Sequence, residues 1–377
     1  MDAGRKWPAE CQDYGDPLSG AHVRQLTDYM GHSYHLYFTN PGWWDEGRRL
    51  LFGSDRENRS NLFSLELQTS EITQLTDFDR RGRFQATCLN PTRDEAYFWH
   101  GPELMALDLR SLELRELWTR PEGFRPSMIN CTADGEYVCA GIYEDMSDRF
   151  PMDLSRGYVG FYDNWEAHPL SRIYRVATDG RGAESIWEEE TWIGHVNTSP
   201  TRAELLTFCH EGPWHLVDNR IWGMDMSRGE VWKLRPREKE ESVGHEYWFA
   251  DGVRIGYHGR WDEERKFFGH VNYDGTGRVE VAFPHETGHI HSNDEALVVG
   301  DASPVVRIWR WNGEGYDGPR ILCEHRSSFH IQKVHVHPRF TPDGSQVLFT
   351  SDRRGYGNVY LVDVPEFDEL PGMDVLD

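Results

Sequence analysis

The densest group of side chains able to do chemistry is FHIQKVHVHPRF, with His330, Gln332, His335 and His337. Residues i and i+2 of a strand share a face, so His335 and His337 point the same way, a workable pair of metal ligands. In an unbroken strand Gln332 would face the other side, so it can join them only from a loop or bulge before the strand. A second supply of imidazoles is HETGHIH, with His285, His289 and His291. Here His289 and His291 again stand two apart. One H-x-H alone is more simply a polar strand face. Two in neighbouring units, with a glutamine nearby, suit a metal site, and the polar-face alternative stays open beside it.

A third cluster is CHEGPWHLVDNRIW, with His210, Glu211, His215, Asp218 and Arg220. Gly212-Pro213 makes a turn, so these charges gather on a loop between two strands. Arg220 is planar, bidentate and always charged, a natural clamp for a carboxylate; the bland alternative is an ion pair with Asp218 or Glu211. In SVGHEYWF, Gly244 allows a bend before His245, and Tyr247 and Trp248 follow. Structural histidines at blade edges account equally well for His32, His35 and His195. HETGH matches the H-E-x-x-H zinc-protease pattern, but that pattern works only on a helix, and Pro284 and Gly288 speak against one. No G-x-S-x-G elbow, G-x-G-x-x-G or phosphate-binding loop is present, and no cysteine has an obvious basic partner.

The elements that must position these groups repeat along the chain. A polar turn leads to a short β-rich run, a variable loop and a second run ending near an aspartate. The clearest copies start at Asp45 and Pro342, and both contain S-D-R. Weaker copies follow turns at Arg93-Asp94, Ala133-Asp134-Gly135, Thr201-Arg202, Ala250-Asp251-Gly252 and Asn293-Asp294. That makes seven units spaced by about 40 to 50 residues, with one of about 68. NLFSLELQ and NVYLVDV alternate with period two, and no long stretch has helical periodicity. Such repeats predict an all-β, seven-bladed β-propeller occupying residues 1–377 as a single domain. The surplus of the long unit, about 149–170, is expected as a loop or short helix at one mouth, where insertions often cover a site.

Composition narrows the ligand. Of 377 residues, 40 are Lys or Arg and 63 Asp or Glu, a net charge of −23. Nucleic acid and anionic membranes have no general attraction to such a chain. An anionic ligand therefore needs a local island of positive charge. Six cysteines with no C-x-x-C pair predict free thiols, and with no apolar leader the expected compartment is the cytoplasm. Fifteen tryptophans are many; most are expected in the β core, although such rings also suit sugar faces.

CHEGPWHLVDNRIW, GHEYWF, HIHSND with LVVGD, QKVHVHPRFTPDG and LFTSD, in this order and spacing, resemble the oligogalacturonate lyases, polysaccharide lyase family 22. The resemblance spans about residues 25–366 and is strong from His195 onward. It implies a seven-bladed propeller holding one divalent metal, manganese, through His289, Gln332, His335 and His337, with His291 a near neighbour. It implies His245 as the base and Arg220 as the clamp on the substrate; beside them His210 is expected as a reserve base, and His195 and Trp248 as further substrate contacts. The implied reaction is β-elimination of short 4-linked galacturonides, chiefly digalacturonate, giving 4,5-unsaturated uronates. The proton on C5 is α to a carboxylate, and four neutral ligands leave a cation's full charge to neutralise it. A neutral histidine beside that charge suits proton removal. A lyase on another uronate disaccharide, and a non-catalytic TolB-like propeller, are the alternatives.

Overall fold

The computed structural model describes residues 2–79, 84–238, 240–283, 285 and 287–376. Its strands form seven antiparallel sheets, each the blade of a β-propeller. The seven turns picked out by the repeat are the first turns of the blades. They link each innermost strand to its neighbour, as between Phe124–Cys131 and Tyr137–Glu144, or Ser242–Trp248 and Arg254–Arg260. The aspartates in them explain the pattern. Asp134 accepts the Glu136 amide at 3.0 Å and the Thr132 hydroxyl at 2.6 Å, and Asp343 does the same for Ser345 and Thr341. The glycine that follows lets two blades approach. Gly135 has φ 74°, its carbonyl accepts Asn90 Nδ2 of the preceding blade at 2.9 Å, and a Cβ there would meet Thr92 Oγ1 at 2.3 Å.

The ring is closed by the two ends of the chain sharing one sheet. Gln12–Gly15 and His22–Gln25 pair onto Asn358–Asp363, which continues through Gln346–Ser351 to Arg339–Phe340. Val23 lies opposite Val362 and is fully buried with Val347, Phe349 and Tyr360. The tryptophans mostly fill blades as expected, with Trp99 and Trp309 fully buried. Among the described residues all six cysteines are free thiols.

Two local expectations change. Residues 335–338 belong to no strand: Gln332–Val334 form a 3-10 turn, His335 is extended, and His337 is left-handed at φ 44°. His335 and His337 therefore do not owe their common direction to strand alternation. Around HETGH, the preceding Pro284 and the internal Glu286 lie outside the described residues, while His285 and residues 287–289 are in no helix. The surplus of the long unit runs between Tyr137–Glu144 and Leu170–Ala177 and contains the short helix α1, Phe161–Glu166.

Ring closure through one shared sheet makes a testable point. Val23→Ala removes buried methyl groups where the chain ends meet, and is expected to cost about 2 kcal/mol. Urea unfolding should show a lowered midpoint with an unchanged slope, because the blades come apart together.

Candidate active site at one mouth of the central channel

In every blade the innermost segment runs the same way along the channel. Tyr37, Gln85, Ser127, His195, His245, His289 and Gln332 line one mouth. Residues two to ten further on, among them Asn40, Leu89, Asn130, Thr198, Trp248, His291 and Pro342, line the other. The first mouth opens into a cavity of roughly 790 Å³. The inserted segment walls it with Leu154, Ser155, Tyr158, Phe161 and Tyr162.

Backbone bulges aim the side chains. The ladder shifts register between Gly194 and Asn197, and again between Gly244 and Tyr247. At these two bulges His195 and His245 take φ 46° and 53°, a region that costs a non-glycine residue about 1–3 kcal/mol. A bulge turns one side chain out of the alternation, here into the channel. Gly244 is required for a different reason than the expected bend: a Cβ would meet the Trp214 indole at 2.2 Å.

Three imidazoles converge. Ligand atoms of His289, His335 and His337 all lie within 4.8 Å of one another, and His289 Nε2 is 3.2 Å from His337 Nε2. His289 is buried and its Nδ1 donates to Asp301 Oδ2 at 2.7 Å, while its amide donates to Asp301 Oδ1 at 2.7 Å. That carboxylate fixes the tautomer and leaves Nε2 as a lone pair facing the cluster. Burial and the neighbouring histidines push His335 down and His337 well below the ordinary histidine range, so both favour the neutral form. His335 Nδ1 is buried with no hydrogen-bond partner. Neutral, crowded nitrogens, one of them orphaned, fit a cation. His35 Nε2 donates to the His337 carbonyl at 2.9 Å and holds this turn in place. Gln332 lines the same cavity as His289 from its 3-10 turn: its Nε2 donates to the Tyr158 hydroxyl at 2.9 Å, leaving Oε1 as the free end of the amide. His291 is placed elsewhere. Its ring stacks on Tyr247 and faces the opposite mouth, so it does not share a face with His289.

His245 sits against this cluster, its ring 4.5 Å from that of His289. Its Nδ1 is 2.9 Å from His258 Nε2 and the two rings stack. Burial, then the crowding of its ring against the imidazoles of His289, His258 and His195 and the nearby Arg220 cation, hold His245 well below the ordinary range. Arg220 is buried in the same wall. Its Nη1 donates to Glu211 Oε1 at 2.6 Å, its Nε to Glu246 Oε2 at 3.4 Å, and it lies over Trp214. The Glu211 ion pair named as the bland alternative is thus present, but the residue still lines the cavity. Among the described residues its Nη2 has no acceptor. His195 bridges the two carboxylates, 3.5 Å from Glu211 and 3.3 Å from Glu246. His195, Cys209 and Glu246 form a second compact donor group, but the Arg220 cation beside Glu246 disfavours a metal there.

Two expected site residues are not in the cavity. His210 is enclosed by Asp218 at 2.7 Å, Glu189 at 3.0 Å and the Trp222 ring. With both ring nitrogens committed it is a structural residue, not a reserve base. Trp248 lies at the opposite mouth, its Nε1 donating to the Asn197 carbonyl at 3.0 Å. Three residues of strand carry it about 10 Å from His245. Sequence reasoning missed Tyr37, Tyr158, Glu246, His258 and Asp301 as members of the site. Asp301 ends the quoted LVVGD and Glu246 follows His245, but nothing local marks either as facing the channel.

Arg220 carries the electrostatics of this wall. Arg220 and the His195 contact hold Glu246 down at about 2, and Arg220 also lowers Glu211, against burial that raises both. A depressed carboxylate contributes stability that is present above its unfolded value, near 4.5, and is lost as pH falls through its folded value. Arg220→Met leaves two buried carboxylates unpaired and should cost about 3 kcal/mol at pH 7. Burial then raises them, so the variant should recover stability as pH falls toward 5, where the parent protein does not. Melting temperatures of both proteins between pH 5 and 8 check this.

A family profile described as oligogalacturonate lyase matches residues 1–316. A curated oligogalacturonide lyase of Pectobacterium atrosepticum is 29% identical, over 97% of this chain and 99% of its own length. An oligogalacturonate lyase solved in complex with manganese superposes with a TM-score of 0.88 at 27% identity, over 97% of this chain and 99% of the other. The oligogalacturonate lyase of Vibrio parahaemolyticus does so with a TM-score of 0.86 at 25% identity and the same coverage.

Proposed function

Because the chain belongs to the oligogalacturonate lyase family, a family of lyases acting on oligosaccharides, we propose that it performs β-elimination on short 4-linked galacturonides, chiefly digalacturonate, giving 4,5-unsaturated uronates. One observation carries the reading: three converging histidines, of which His289 lines the cavity, stand against the buried His245 and Arg220 of the same wall. His289, His335 and His337, with Gln332 Oε1, would hold a divalent cation. Manganese is the first choice, supported by the related structure solved with that ion. When bound, the cation would neutralise the uronate carboxylate and so acidify the proton on C5.

The charge balance of the wall supports this need. Arg220 is outnumbered by Glu211 and Glu246, so without a cation this wall does not attract a carboxylate. His245 is the base in this reading. Its Nδ1 is taken by His258, its Nε2 is the remaining nitrogen, and burial keeps it unprotonated and ready to accept. Arg220, immobilised by two carboxylates, offers Nη2 to a sugar oxygen or carboxylate and sets the position of the ring. Tyr37, whose ring is 4.8 Å from His337, is held protonated by burial and is a fixed donor in the same cavity. The insertion brings Tyr158, Phe161 and Tyr162 over the mouth, a wall suited to sugar rings. A cytoplasmic location belongs to the same proposal, supported by six unpaired thiols.

Digalacturonate should give a rise in ultraviolet absorbance from the unsaturated product, abolished by chelator and restored by manganese. His245→Ala should lower kcat at least about 100-fold with its metal content unchanged. A fully active chelated protein would sink the metal assignment, and an unimpaired variant the base.

Tyr158 orients the Gln332 amide, so Tyr158→Phe should weaken manganese binding about tenfold, as loss of an outer partner does. Calorimetric titration of the metal-free protein measures it, independently of turnover.

A further inference from the structure

The opposite mouth of the channel is a second cavity, of roughly 270 Å³, and the mechanism uses none of it. Its lining contains no aspartate or glutamate, in a chain that has 63 of them. It does contain Arg339. Among the described residues this guanidinium has no carboxylate partner. Nη1 donates to the Phe38 carbonyl, and Nε is buried with no acceptor. The edge formed by Nε and Nη2 is therefore unpaired among the described residues, and that edge is the fork that takes a carboxylate side-on.

A second donor is unspent in the same lining. Asn197 is 3% exposed and its Nδ2 has no partner. The other amides there are committed: Asn130 to Asn40, Asn40 to two backbone carbonyls, and Asn293 to the Thr341 carbonyl. The walls are aromatic, with Trp43, Tyr247, Trp248, Phe249 and Phe340. A buried donor left unmade costs about 1–3 kcal/mol, more for a charged group, so two in one pocket argue for a ligand that satisfies both.

We propose that this mouth is a second ligand site, for a monosaccharide-sized carboxylate, a uronic acid, held by Arg339 and Asn197 against the aromatic walls. The choice of a uronic acid rests on the reaction proposed above; the two unpaired donors and the absence of acidic groups in the lining do not. The site lies beyond the reacting groups, at the far end of the channel, so an occupant there is an effector or a retained product and takes no part in the elimination.

The manganese-loaded protein is titrated calorimetrically with D-galacturonate and, separately, with inorganic phosphate. The parent protein is expected to bind two galacturonates. Asn197→Asp, nearly isosteric, puts a carboxylate into the lining that Arg339 shares and should weaken one of the two sites at least tenfold, with turnover of digalacturonate unchanged. Arg339→Gln should abolish the same site, and Arg339→Lys should retain part of it. Superimposable titrations for the parent and Asn197→Asp overturn the site. Phosphate binding that is lost in Asn197→Asp, with no galacturonate binding there, overturns the uronic acid. A protein that turns over no digalacturonate, yet loses galacturonate binding in Asn197→Asp, overturns the proposed reaction and supports this site.

Discussion

Everything at the site depends on one constraint, the closure of seven sheets into a ring whose innermost segments run in the same direction. Closure is made by His22–Gln25 pairing with Asn358–Asp363, which puts both ends of the chain in one sheet. Once the direction is common, position along a segment decides which mouth a side chain serves. His289 goes to the histidine cluster and His291 to the far end, although they are two residues apart. His245 and Trp248 part in the same way.

Alternation alone would not gather the imidazoles. The ladder has to break, and it does so at the bulges carrying His195 and His245, each left-handed and each at the reactive mouth. The 3-10 turn before His335 and the left-handed His337 play the same part in the last blade. Such conformations cost stability, and the surroundings hold them: Trp214 over Gly244, His35 on the His337 carbonyl, Asp301 on both the amide and the ring of His289. Three of the left-handed residues, His195, His245 and His337, thus stand where the chemistry is proposed, as suits a preorganised site.

Charge follows a similar logic. An acidic chain binds an anion only where something positive outweighs its carboxylates. At the reactive mouth Arg220 is already balanced by Glu211 and Glu246, so the neutral imidazoles matter because they do not cancel an ion they hold. The inserted segment adds the aromatic wall and reaches Gln332 through Tyr158, which couples the cover of the cavity to one member of the donor set.

The sequence by itself determined the seven blades, because each begins with a polar turn whose chemistry, in most of them built on an aspartate, is local. It also named His289, Gln332, His335, His337, His245 and Arg220 as candidates, because they sit in motifs that carry the family resemblance and can be read one by one. The insertion was visible as an overlong repeat. What tertiary structure alone decided is direction: that His291, Trp248 and His210 leave the site, that Asp301, Glu246, His258, Tyr37 and Tyr158 enter it, and that Arg220 is already paired. The reason is physical. Bulges, left-handed residues and the packing of one blade on the next turn side chains by interactions between segments far apart in the chain, and no spacing along the sequence records them.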